Sequence, residues 1–512
     1  MKKTLLAELQ FRAKNDARVI AVALSVILSC WLIWRGGIIN NDGILYLQSA
    51  EAFVQNDWRR AVQIYPWPFY SWLISLAHQS FGLSLESAAY LINIVLYAAL
   101  TGVFITLVRE LDPRPVVSWL AAVVILLLPS LNDYRVYIIR DAGYWACYLA
   151  ALLYLFRYMS QQRLSAALAW GGSIALATLF RIEGVGLMVL LPLTVFFDSG
   201  TPLAARYKRF VVLNIVLLLC AVGVAAYFLV NAGTPAFAGR LTEPFTELKH
   251  LVVNLGTTIP LKAEALRAAV LNEYSKDFAL GGLMAVLLTI VIGKILSSLG
   301  VVHLLLSGYG VAKRKLFFEP PVVRVIAWTV VVQVLIIAVF TINHFFLTGR
   351  HVIGLVLALL LFAPTALAEI FSRWKGRREQ STSRVTKWLF PLVCVLSAGT
   401  AVDIVHSSGP SKRYIKEGGE WIAVNTPPSS SLLTNDKVLA YYAKRKMKQN
   451  SDQFNEAYVV AVLNGGEVRF DYVALNVKRG NLGSLTGLER LGEPVARFGN
   501  NRKDELLIFK YE

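Results

Sequence analysis

Apolar runs long enough to cross a bilayer recur along this chain, and they fix most of what it can become. A helix needs about 20 apolar residues to span the hydrocarbon, with roughly 17 to 25 tolerated. Such runs are read near residues 19–39, 86–108, 115–130, 143–159, 164–180, 184–198, 210–231, 280–310, 322–346, 352–371 and 386–405. Of 512 residues, 56% are hydrophobic and only 16% charged, with a mean hydropathy of +0.54. Soluble domains are about a quarter charged, so the expectation is an integral membrane protein. Its fold class is mainly α, a polytopic membrane helical bundle of about 11 spans. An odd number of spans puts the two termini on opposite sides.

The net charge of +18 could point to nucleic acid, but the positions of the charges argue otherwise. One face carries Lys2, Lys3, Arg12, Lys14 and Arg18, then Arg109, Arg114, Arg157, Arg163, Arg206, Lys208 and Arg209. Lys313, Arg314, Lys315, Arg373, Lys375, Arg377, Arg378, Arg384 and Lys387 complete it, giving 21 of the 51 lysines and arginines. Basic residues in short loops mark the cytoplasmic side. The excess charge is therefore largely a topology signal, and no nucleic-acid partner is expected. The four cysteines, Cys30, Cys147, Cys220 and Cys394, lie inside apolar runs without metal-type spacing and supply no disulfide framework. The first apolar run lacks a small-residue cleavage site and reads as a retained anchor.

Residues 1–405 are thus read as a membrane domain with large outer-face loops at 40–85 and 232–279. Residues 406–512 are read as a small outer α/β domain. The loop at 40–85 mixes amphipathic stretches with tryptophan and proline, as in "QIYPWPFYSWLISLAHQSFG", a composition suited to the membrane interface. The loop at 232–279 contains two short helix-like pieces separated by Pro260. In the tail, "SKRYIKEGGEWIAVNTP" reads as a helix ended by proline. "SSLLTND" and "FDYVALNVK" alternate like strands, and "VARFGNNRKDELLIFKY" reads as a hairpin around Gly499-Asn500-Asn501. No internal repeat is visible.

Polar residues that interrupt this pattern gather at the outer ends of the runs. Asp42 follows the first span and precedes a helix-like stretch with Tyr46; it is either a helix N-cap or a general base at the membrane surface. "SLNDYRVYIIRDAGYW" places Asp133, Arg135, Arg140 and Asp141 within nine residues, more charge than a short connector needs. Arg140 beside Asp141 is either an interfacial ion pair of little worth or a phosphate-binding arginine next to a carboxylate. In "ATLFRIEGVGLMVLLPL", Arg181 and Glu183 break a long apolar stretch. A bare turn could use Gly, Asn or Ser at lower desolvation cost, which favours a cavity-facing role. "NHFFLTGRHV" adds Arg350, whose planar donor fork suits phosphate oxygens, and His351, a weak signal alone. Lys294, mid-way along an apolar run, either snorkels to the interface or reaches a solvated cavity and a phosphate. Carboxylates beside several cations at headgroup level suit transfer chemistry on a lipid phosphate.

These stretches, in this order, resemble the GT-C membrane glycosyltransferases, especially the bacterial branch related to protein O-mannosyltransferases and the lipid A aminoarabinose transferase. The likeness is carried by "NNDGILYLQSA", "YPWPFYSWLI", "YIIRDAGYWACYLAALLYLFR", "LATLFRIEGVGLMVLLPL" and "FFLTGRHVIGLVLALLLFAP", over roughly residues 19–405. Two departures stand out. Asp42 is followed by Gly43 where members often have Asp-Glu, and the proline motif reads Pro-Trp-Pro-Phe.

The resemblance implies a periplasmic-face transferase in the bacterial inner membrane, with its C-terminal domain outside. The donor would be a polyprenyl-phosphate sugar and the acceptor a glycan, lipid or protein, with membrane lipids as surroundings. Asp42 would be the base, Asp141 the second acid, and Arg140, Arg181 and Arg350, with Lys294, the donor-phosphate ligands. Tyr46, Tyr65, Glu183 and His351 would line the substrate pocket. Some members use a divalent metal; no metal-type cluster is visible here, so none is expected from the residues, and the resemblance leaves a divalent ion open. The rivals are a multispan transporter or flippase of lipid-linked saccharides, for which charges near mid-membrane and repeated halves would speak, and a scaffold whose tail binds envelope partners.

Overall fold

A computed structural model describes residues 16–198, 200–230, 238–314, 320–375, 384–406, 412–445, 459, 462, 470–479 and 491–510. Lys2, Lys3, Arg12, Lys14, Lys315, Arg377 and Arg378 of the basic face lie outside them. Each of the eleven apolar runs coincides with helix. The first is Ala17–Gly36; Leu85–Leu111, Asp141–Gln161, Leu164–Phe180 and Pro320–His344 are continuous. Others are broken where the sequence demands it. Pro115–Leu126 stops ahead of Pro129, and Ala279–Ala312 contains Gly300 at φ 66°, a left-handed value that interrupts the helical path.

By length and apolarity five described helices can cross a membrane, or six if the pair Gly349–Leu360 and Ala363–Lys375, bent by 44°, is one span. Pro115–Leu126, Leu164–Phe180 and Gly184–Phe197 are apolar but shorter. The helices Leu85–Leu111 and Asp141–Gln161 bury small residues, Ala88, Ala89, Ala98, Ala142, Ala146 and Ala151, together with Tyr97, Phe104, Trp145, Tyr148 and Leu152. Small residues at helix contacts are the usual device where lipid offers no hydrophobic drive.

The segment 40–85 folds as three helices, Asn41–Val54, Trp58–Ile64 and Phe69–Phe81. Its aromatic residues divide: Trp67 and Tyr70 are buried in protein, whereas Trp58, Trp72 and Phe81 are exposed. In the segment 232–279 the α-helices are Ala238–Val253 and Ile259–Ala269, parted by a π-helical turn, Asn254–Thr258, that ends just before Pro260.

The chain divides into two units. One comprises residues 1–30, 49–135 and 139–405; the other comprises residues 31–48, 136–138 and 406–512. In the second, strands β1 (Leu432–Thr434), β2 (Tyr472–Val477), β3 (Ala496–Gly499) and β4 (Glu505–Lys510) form a sheet in the order β1-β2-β4-β3. β1 runs parallel to β2, and β4 is antiparallel to both β2 and β3. The expected hairpin at residues 499–501 is the β3–β4 connection. Alternation along β2 and β4 sends Val473, Leu475, Leu507 and Phe509 to one core and Ala474, Leu506 and Ile508 to another. The second core is closed by Tyr414, Ile415 and Ile422 of the helix Arg413–Asn425, which ends at Thr426 before Pro427 as read. The exit from the first span belongs to this unit: the Ile39 N–H donates to the Tyr442 hydroxyl at 3.1 Å.

Candidate active site

The charged residues between the apolar runs are brought together by close helix packing in the larger unit. Helix Asp141–Gln161 begins at Asp141, and helix Leu164–Phe180 ends at Phe180, immediately before Arg181. The two ends meet because residue 143 is glycine. A Cβ there would lie 2.4 Å from the Phe180 ring. Phe180 also takes the edge of Phe69 at a centroid distance of 5.1 Å, and the Trp67 indole N–H donates to the Thr178 carbonyl at 3.0 Å. The "YPWPF" stretch therefore braces the same helix end that presents Arg181.

Arg181 adopts an extended backbone, and the tight turn that follows returns the Gly184 N–H to its carbonyl at 2.9 Å. Its guanidinium is shared. Nη1 donates to an Asp141 carboxylate oxygen and Nη2 to Glu183. Asp141 is 1% and Arg181 6% exposed, so their pair is buried rather than a wet surface one, while Glu183 is half-buried. The Tyr144 ring lies 5.8 Å from the guanidinium carbon and stacks on Tyr148. Arg181 Nε and Glu183 Oε2 are buried with no hydrogen-bond partner. The positive charges of Arg350 and Arg140 act on Asp141 in addition to that of Arg181. A carboxylate held by several guanidiniums is a weak base. Asp141 is thus suited to holding Arg181 in place, and poorly suited to accepting a proton.

Arg140 is half-buried, with its guanidinium 5.4 Å from the centroid of Tyr65, the residue that ends the helix Trp58–Ile64. Arg350 and His351 lie in the first turn of Gly349–Leu360, a helix entered through Thr348. His351 Nδ1 is 2.7 Å from the Thr348 hydroxyl, and its ring stacks on Phe340 at 4.2 Å. Lys294 is exposed on the helix Ala279–Ala312 and contributes to none of these contacts.

Arg135, noted in sequence only as one charge of a cluster, is fully buried. It donates to Asn132 Oδ1 at 2.8 Å, to the Ser25 carbonyl at 3.2 Å and hydroxyl at 3.0 Å, and to Ser29 at 2.6 Å. No carboxylate among the described residues pairs with it. Asp133, by contrast, is exposed. The described residues hold no group of three or more His, Cys, Asp or Glu able to bind a metal. Asp141 and Glu183 are instead turned to Arg181, so these residues do not fit a metal site.

Asp42 and Tyr46 lie in the smaller unit. The helix starts at Asn41, so Asp42 stands within its first turn, half-buried, and Tyr46, one turn on, is buried. The Asn40 Oδ1 accepts the Ile138 N–H at 2.9 Å. A Cβ on Gly43 would fall 3.1 Å from Ile138 Cβ and 2.9 Å from that Asn40 oxygen. Glycine after the acid is therefore a packing requirement of this chain, which accounts for the Asp-Gly reading.

No family model matches the chain, and no curated protein does. Among solved structures, the aminoarabinose transferase ArnT from Cupriavidus metallidurans in the apo state aligns over 96% of this chain and 97% of its own. The identity is 15% and the TM-score 0.55. The fold is that of the GT-C glycosyltransferases. The same transferase bound to undecaprenyl phosphate aligns over equal shares at 13% identity, again with a TM-score of 0.55. The archaeal oligosaccharyltransferase AglB from Archaeoglobus fulgidus, in complex with an inhibitory peptide and a dolichol-phosphate, aligns over 91% of this chain and 70% of its own. Its identity is 14% and its TM-score 0.49. The likeness to the transferase covers 96% of this chain.

Proposed function

We propose that the chain is a glycosyltransferase of the bacterial inner membrane, crossing it eleven times with the N-terminus inside. It moves a sugar from a polyprenyl-phosphate donor to a hydroxyl on a glycan, lipid or protein at the periplasmic face. The observation that carries this reading is the buried Asp141–Arg181 pair shared with half-buried Glu183, with the charges of Arg140 and Arg350 acting on the same carboxylate, on a GT-C scaffold. A phosphate leaving group needs fixed positive charge more than acid help, and arginine supplies it in a planar, directed form.

In the proposed step the acceptor oxygen attacks the anomeric carbon from the side opposite the phosphate. The carbon–oxygen bond to phosphate breaks, the configuration inverts, and the lipid phosphate leaves with the bonding electrons. Asp42 takes the hydroxyl proton. Arg181, held by Asp141 and Glu183, and the cations Arg140 and Arg350 receive the phosphate charge, beside Tyr65 and His351.

The deciding experiment incubates purified protein in lipid nanodiscs with an undecaprenyl-phosphate sugar and cell-envelope acceptors. Release of free undecaprenyl phosphate together with a glycosylated product is expected. Transport of the donor across the bilayer without cleavage would support the flippase reading instead.

A further inference from the structure

We propose that Tyr442 is a positioning residue for Asp42, acting through the Ile39 N–H. The inference rests on the reading of Asp42 as the proton acceptor, and it assigns part of that residue's placement to the sheet-bearing unit, to which both belong.

Asp42 stands in the first turn of the helix Asn41–Val54, so the connector ahead of it, residues 37–40, sets where its carboxylate lies. Once such a connector is buried, its backbone polar groups must all find partners. The Gly37 N–H closes the preceding helix on the Ile33 carbonyl at 2.7 Å. Ile39 is 1% exposed, and its N–H donates to the hydroxyl of Tyr442, 403 residues later, at 3.1 Å. The Asn40 side chain accepts the Ile138 N–H at 2.9 Å, and its carbonyl accepts the Ile44 N–H at 3.1 Å as the helix begins. The residue three places before Asp42 is therefore held by the far end of the chain.

Tyr442 is itself firmly seated. It is the last residue of the helix Lys437–Tyr442, whose start is capped by Asp436: Oδ1 accepts the Val438 N–H at 2.8 Å and the Leu439 N–H at 3.2 Å. Asp436 Oδ2 accepts from Asn476 Nδ2 on β2 at 2.7 Å, which ties this short helix to the sheet. Asn435 adds two bonds to the backbone of Asn476, donating to its carbonyl at 2.9 Å and accepting its N–H at 2.8 Å. The tyrosine is 8% exposed and meets the helix Arg413–Asn425 at Gly419, where a Cβ would lie 2.7 Å from Tyr442 Cβ. Lys416 Nζ stands 5.1 Å from the centroid of its ring. Ile38 packs against the same core of Tyr414, Leu439 and Ile508. Loss of the hydroxyl would leave a buried N–H without this acceptor, and the connector would have to turn to find another. Asp42, one turn on, moves with it. A base displaced from its proton slows transfer, while the phosphate ligands Arg140, Arg181 and Arg350, which belong to the larger unit, keep their places.

The test runs the nanodisc transfer assay, with an undecaprenyl-phosphate sugar and cell-envelope acceptors, on the unmodified protein, Tyr442→Phe, Asp42→Asn and the double variant. Undecaprenyl phosphate affinity and the thermal midpoint are recorded for each, and rates are taken well below the lowest midpoint. Tyr442→Phe is expected to lower the turnover number about tenfold, with undecaprenyl phosphate affinity within about twofold of the parent. The double variant is expected to be no slower than Asp42→Asn, because the hydroxyl acts only through that carboxylate. Full turnover in Tyr442→Phe beside a slow Asp42→Asn overturns this inference alone, as does a loss that multiplies in the double variant or falls on donor affinity. Full turnover in Asp42→Asn removes the base reading, and the inference with it; absence of transfer by the unmodified protein removes the proposed function as a whole. Should Tyr442→Phe fail to fold, Ile38→Ala, which loosens the same connector from its core, decides by the same criteria.

Discussion

Arg181 Nη1 donates to the carboxylate of Asp141, forty residues earlier in the chain, where neither side chain has appreciable access to solvent. An ion pair so placed contributes little net stability over an apolar pair of similar size. Removing one member is costly, because the other is then stranded as a bare buried charge. Arg181→Met and Asp141→Leu should each destabilise the protein by about 3–5 kcal/mol. The double substitution should cost much less than the sum. Thermal unfolding of the four proteins in one detergent measures this; additive losses would show that the pair is not coupled.

The close approach that makes this pair possible gives a second expectation. Gly143→Ala places a methyl group 2.4 Å from the Phe180 ring, so the ring or the helix must shift. Overpacking of this kind costs about 1–3 kcal/mol. The same shift displaces Arg181, so donor affinity should fall along with stability. A stable Gly143→Ala protein with normal donor affinity would mean that the Phe180 contact does not set the position of Arg181.

Much of this arrangement was legible before any coordinates, and the limits are instructive. The helices follow from the apolar runs because lipid leaves the backbone no other way to satisfy its polar groups. The hairpin at residues 499–501 follows from alternation and turn residues. The charged positions were also visible, since Arg181 and Glu183 break a long apolar stretch. Their partnership was not: pairing across forty residues depends on Gly143 admitting Phe180, a packing fact with no local signature.

Asp42 is the residue on which the chemistry should depend most. Asp42→Asn keeps size and polarity while removing the proton acceptor. The turnover number should fall by about 10²–10⁴-fold, the usual contribution of a general base, with donor affinity within about twofold of the parent. Single-turnover transfer with purified protein separates the two quantities. Full turnover in this variant would take Asp42 out of the mechanism.

Arg350 should behave in the opposite way. Its half-buried guanidinium contributes to the field on Asp141 from the first turn of the helix Gly349–Leu360. Arg350→Ala should weaken undecaprenyl phosphate binding by roughly 10- to 100-fold, the loss expected for a charge-assisted hydrogen bond. The thermal midpoint without ligand should change little. Equal affinity for donor phosphate in the variant and parent would assign the phosphate to other cations.

The buried guanidinium of Arg135 has a bearing on how such a chain is built in the first place. Its charge is met by oxygens of Ser25, Ser29 and Asn132, two of them supplied by the first span. A nascent loop lacking that helix would present a bare cation to hydrocarbon, at a cost of several kcal/mol. The earliest helix is thus the seat on which a residue made a hundred positions later depends.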